Sequence, residues 1–215
     1  MLTRFSKRFL GLVLILTVFS VFACPVSATI IFSQDFNQPI PSPQDPDNDI
    51  GKGKMDDVII DVPEHVIIDD LDVAVSLNHE SFYDLEIVLS RPGGTAITLN
   101  CHSNDAFITR DEDGWQEPVG GWNRFLFDDE APIAIEDAEA PLTQPFRPAD
   151  GYKLSDFDGQ DVFGQWLVQI EDFWPSHTGY LEHIELIINA PEPSTVYILG
   201  AMVLAIRLLK PRKAG

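Results

Sequence analysis

Between residues 154 and 188 apolar side chains recur at every second position. Trp166, Val168 and Ile170 alternate with Leu167, Gln169 and Glu171, and Ile184, Leu186 and Ile188 alternate with Glu185 and Ile187. A period of two predicts strands with one face on a core. The segment FWPSHTG between them carries Pro175 and Gly179, so the chain turns there. Gly159 and Gly164 bracket the loop before Trp166, where positive φ or close backbone approach is expected. Strands are also predicted at 29–36, 58–62, 66–77, 84–89 and 95–99. In 66–77, Leu71, Val73, Val75 and Leu77 point one way, and Asp70, Asp72, Ala74 and Ser76 the other. In 84–89, Leu85, Ile87 and Leu89 face in, with Asp84 and Glu86 facing out. Arg91-Pro92-Gly93-Gly94 is the turn that sends the chain back. No stretch between Thr29 and Ala190 sustains a 3.6-residue period. The prediction is an all-β fold: an antiparallel, jelly-roll-like β-sandwich with short loops.

The two ends read differently. Arg4, Lys7 and Arg8 precede an apolar run over 10–23, and Val26-Ser27-Ala28 supplies small residues for cleavage. Residues 1–28 are therefore expected to be a signal peptide with an apolar helix, cut after Ala28. Ala23-Cys24 offers a lipoprotein site instead, against which stands the bulky Phe22. With cleavage after Ala28, Cys101 is the one cysteine left, so no internal disulfide is expected. Stability then falls to the core, for which about 160 residues suffice. In the C-terminal segment 191–215, Pro191-Glu192-Pro193 stops the last strand. An apolar helix is predicted over 196–209, followed by basic residues. Its 14 residues span about 21 Å, short of the roughly 30 Å hydrocarbon core. Thinning or snorkelling would let it insert, with the basic end cytoplasmic.

Charge narrows the partners. Between Thr29 and Ala190 lie 7 basic and 33 acidic residues, a net charge of −26. Such a body repels nucleic acid and anionic lipid. Calcium, cationic polymers and basic peptides are compatible with it, as is a plain solvated surface. Asp45, Asp47 and Asp49 have the spacing that opens a calcium loop. Ile50 replaces the sharp-turn glycine and nothing helical flanks the loop, which excludes an EF-hand. A looser calcium site and a solvated turn stay open.

Catalytic motifs are missing. His79 and Asp84 could be catalytic, but a histidine before a loop and an aspartate after it more often tie a hairpin together. No G-x-S-x-G elbow exists. His102, Ser103 and Asp105 are neighbours only in sequence, whereas triads assemble in space. The five histidines show no zinc spacing. Asp128-Asp129 suggests glycosidic acid–base chemistry, but adjacent carboxylates on a strand point to opposite faces.

Several motifs resemble one family. Leu154, Phe157, Gly159, Gly164, Trp166, Asp172, Gly179 and Leu181 resemble the end of the P domain (P/Homo B). This is the β-sandwich module that follows the catalytic domain of proprotein convertases and of many bacterial proteases. His79, Asp84, Leu85, Leu89, Pro92, Gly94 and Thr95 resemble its earlier signature, and the run NRFLFDDEA at 123–131 resembles a strand end of the family. The likeness runs over about 37–189; the stretch 101–121 departs from it. Pro191, Glu192, Pro193 and Ser194, with the basic end from Arg207 to Lys213, resemble a PEP-CTERM sorting signal.

These resemblances imply a Gram-negative bacterium and a transient inner-membrane intermediate. They imply processing by an exosortase-type enzyme and release to the cell surface or exopolysaccharide matrix, or retention on a plain membrane anchor. The expected function is a non-catalytic binding or structural module, with a surface protein or polysaccharide as partner. The alternative is an accessory, acting in trans, of a subtilisin-like serine endopeptidase system, because the P-domain family implies proteolysis by a separate catalytic domain.

Overall fold

The computed structural model describes residues 27–43, 52–91, 94–102, 123–138, 142–175 and 177–191. The chain divides into the unit Thr29–Ala190 and a second unit made of Met1–Ala28 and Pro191–Gly215. The expected signal helix and apolar C-terminal helix lie outside the described residues, as do Asp45, Asp47, Asp49, Glu192 and Pro193. Ala28 falls within the first strand and Pro191 ends the last. Among the described residues no helix is long and apolar enough to cross a membrane.

Among the described residues nine strands form two sheets. One has the order β1 (Ser27–Ile40), β9 (Gly179–Pro191), β4 (Asp70–His79), β7 (Asn123–Phe127). The other has the order β2 (Gly53–Lys54), β8 (Gly164–Asp172), β5 (Leu85–Ser90), β6 (Ala96–Asn100). β3 (Val58–Val62) continues β2 along the same edge of β8, joined by the bond from Met55 N–H to the Ile170 carbonyl at 3.0 Å. Pairings are antiparallel. β1 follows suit against β9: Thr29 bonds Asn189 while Asp35 bonds His183, so the numbers run in opposite directions. Only β5 and β6 follow each other within one sheet; every other consecutive pair crosses between sheets or, for β2 and β3, shares an edge. That crossing pattern makes the sandwich jelly-roll-like.

Alternation explains the core. Leu71, Val73, Val75 and Leu77 face Leu85, Ile87 and Leu89, all buried. Trp166 is fully buried, its indole N–H donates to the Val162 carbonyl at 2.8 Å, and Phe157 meets it edge-on at 4.9 Å. Gly159 and Gly164 have φ of 74° and 120°, left-handed backbone that favours glycine. In β9 the buried set shifts from Leu181 to Ile184. A bulge opposite Ser76 and Leu77 accommodates the extra residue.

Four expectations change. The first strand reaches Ile40 rather than residue 36. Residues 66–69 precede β4, with only Ile67 bridging to Asp161. Asp84 is not outward on a strand; it closes a 3-10 turn, Phe82–Asp84, and is buried. The loops are not all short. Between β7 and β8 the chain makes two 3-10 turns, Ile135–Asp137 and Leu154–Phe157, and buries Ile135, Phe146, Leu154 and Phe157.

Candidate functional site

Two polar clusters sit at opposite ends of β4. At about 3.3 Å per residue, the seven steps from Asp72 to His79 separate them by about 23 Å.

The first is built where two crossings between the sheets lie side by side, 79–84 and 172–179. Phe173 N–H donates to the Asp84 carbonyl at 2.9 Å, and His79 pairs with Gly179 across β4 and β9. A Cβ on Gly179 would run into the Asn78 carbonyl and lie 2.7 Å from the His79 ring carbon Cδ2, so only glycine fits against the imidazole. His79 and Asp84, close in sequence, do not pair with each other. The His79 Nε2 lies 3.3 Å from Asp172 Oδ2, both side chains fully buried, and its Nδ1 lies 2.8 Å from the Ser81 carbonyl. Asp84 instead bonds His177 Nδ1 at 2.6 Å. Asn100 holds the intervening 3-10 turn by donating to the Phe82 and Leu85 carbonyls at 3.1 and 2.6 Å.

His177 belongs to none of the sequence motifs above, yet the sequence carries a signal for it. Each crossing carries one histidine and one aspartate at the same spacing, His79 with Asp84 and Asp172 with His177, in mirrored order. Chemically the arrangement is a pair of ties. The His79 ring is held between a backbone carbonyl and a carboxylate, and the His177 ring is held by Asp84. His102 stacks on Phe173 at 4.3 Å, while Ser103 and Asp105 lie outside the described residues. Cys101 is a free, exposed thiol.

The second cluster holds carboxylates. Asp72, opposite Ile187, has its pKa pushed up to about 7, first by burial and then by Asp128, Asp70, Glu130 and Asp129. A hydrogen bond to Asp128, and then burial, push Glu130 up. Asp158 is raised by burial and by Asp70 and Asp129. Asp128 and Asp129 are not on a strand, as the sequence suggested, but in the turn after β7. Asp128 accepts Glu130 N–H at 2.7 Å, and Asp129 accepts the N–H groups of Leu154 and Ser155 at 2.9 and 2.8 Å. Their oxygens cap backbone. These carboxylates are near enough to repel one another. Among the described residues, though, no group of three or more His, Cys, Asp or Glu could hold a metal ion.

No protein-family model matches the chain, and no curated protein matches it. Among solved structures it is similar to the serine protease of Aeromonas sobria in complex with a chaperone, at 14% identity and a TM-score of 0.43, over 82% of this chain and 29% of that one. It is similar to the Aeromonas sobria serine protease solved by itself, at 14% identity and 0.42, over 80% and 29%. PfGH50B follows at 10% identity and 0.34, over 79% and 24%. The chain spans under a third of the length of each.

Proposed function

We propose that this chain is a P-domain-like, non-catalytic binding module. In this reading it is exported, sorted by an exosortase-type enzyme through Pro191, Glu192 and Pro193, and displayed at the surface or in the exopolysaccharide matrix of a Gram-negative bacterium. The non-catalytic part is supported by the position of His79. Its ring is fully buried and committed to Asp172 and the Ser81 carbonyl, where a general base must reach a substrate proton. Gly159, Gly164, Trp166, Asp172 and Gly179 serve backbone turns, core and crossings in the same way. The sorting part is supported by the sequence of the two termini alone.

The test uses the full chain incubated with denatured casein and a serine-reactive fluorophosphonate. The expectation is neither cleavage nor labelling. Stoichiometric labelling of one serine, with cleavage lost when that serine becomes alanine, would overturn the reading. Mass spectrometry of surface-released protein should find ends at Thr29 and near Pro193. Recovery of the intact tail on matrix-located protein would leave a plain anchor. A subtilisin-like protease co-purifying in fixed ratio would favour the accessory role in trans.

A further inference from the structure

A cleft of about 390 Å³ opens beside the carboxylate cluster, between the turn at Asp129 and Glu130 and the segment that carries Arg147, Tyr152, Lys153 and Ser155. That volume sits at the low end for small-molecule sites. Its two walls are fixed to each other. Asp129 binds the backbone N–H groups of Leu154 and Ser155, Arg147 donates to the Ala131 carbonyl at 2.8 Å, and Asp150 N–H donates to Glu136 at 2.5 Å. A cleft so tied is formed before any ligand arrives, which lowers the ordering cost of binding.

Its lining selects the ligand. Carboxylates accept, Lys153 and Arg147 donate, Ser155 does both, and Tyr152 is 43% exposed. Apolar lining is confined to Pro148, Ala149 and the tyrosine ring, which suits no greasy ligand. Anions meet Glu130 and, behind it, Asp128, Asp70 and Asp72. A neutral polyol satisfies both kinds of partner, because each hydroxyl donates and accepts, and its C–H face can lie on an aromatic ring. We propose that this cleft binds a neutral saccharide, with Tyr152 as the stacking surface and Glu130 and Lys153 as hydrogen-bonding arms. The proposal deepens the binding-module reading and rests on it for where such a sugar is met.

The test follows backbone amides of the full chain by NMR during titration with maltose, cellobiose, lactose and glucuronate. At least one neutral disaccharide should move the amides of Glu130, Tyr152 and Ser155 at millimolar concentration. Tyr152→Ala should weaken that response about tenfold without lowering the melting temperature, since the side chain is exposed. No movement with any neutral sugar would overturn the proposal. So would a response that Tyr152→Ala leaves unchanged, or one given by glucuronate alone. These outcomes are independent of fluorophosphonate labelling and of the processed termini, so the cleft can fail while the module reading stands, and the reverse.

Discussion

The two ends of β4 treat charge in opposite ways. At the His79 end, each carboxylate faces an imidazole, His79 with Asp172 and His177 with Asp84, and the pairs bridge neighbouring crossings. At the Asp72 end, carboxylates face one another, and the fold accommodates them by raising their pKa. Asp172 is fully enclosed with an imidazole beside it, whereas Asp72 is partly buried with carboxylates beside it. Burying a carboxylate among like charges favours its protonated form. One end therefore holds crossings together, and the other gathers carboxylates beside an open cleft.

The largest effect should come from breaking the enclosed pair. Asp172→Ala or His79→Ala removes one partner of a buried pair and should cost about 3–5 kcal/mol. That is as much as Trp166→Ala, where loss of a buried tryptophan costs about 3–5 kcal/mol, out of roughly 5–15 kcal/mol in all. Chemical denaturation measures all three. If Asp172→Ala melts within a few degrees of the wild type, the pair is not a tie and the contrast between the ends fails.

The carboxylate end predicts a gain instead. Asp72 titrates near 7 in the fold and near 3.9 in an unfolded chain. Between those values the folded state holds more protons, so this group's contribution to stability falls as pH rises from about 4 to about 7. Glu130 and Asp158 are shifted in the same direction. Asp72→Asn should therefore stabilise the protein at pH 8 by about 1 kcal/mol, discounted for partial exposure, and should give no gain at pH 4. A gain that is the same at both values would point to packing rather than charge.

Salt sharpens the contrast further. Sodium chloride should raise the melting temperature at pH 8 by screening the carboxylates, and Asp72→Asn should reduce that rise. Calcium at matched ionic strength should do no more. An excess for calcium that follows RT ln(1 + [L]/Kd) and disappears with chelator would indicate a calcium site among the carboxylates of Asp45–Asp49 or Asp128–Glu130. The smallest effect is expected at the exposed pair of Arg124 and Glu185, bidentate at 3.0 and 2.9 Å. Its removal in Arg124→Ala should cost at most about 1 kcal/mol in a thermal melt.

Alternation was enough to determine the all-β class and the buried faces of β4, β5, β8 and most of β9. Side-chain direction follows from residue parity, and one face of each strand had to be apolar. The left-handed glycines 159 and 164 were legible for a similar reason, since their requirement is local. What the sequence did not reveal was pairing at a distance. His79 looked like the partner of Asp84, five residues on, yet tertiary packing gave it Asp172 and gave Asp84 to His177. Each of these segments crosses from one sheet to the other rather than folding back as a hairpin, so the nearest side chain in sequence lies on the wrong side of the crossing. The bulge in β9, the buried loop between β7 and β8, and the crowding that pushes Asp72 up were likewise decided in three dimensions. Register shifts, loop burial and like-charge contacts depend on which strands become neighbours, and no local period encodes that.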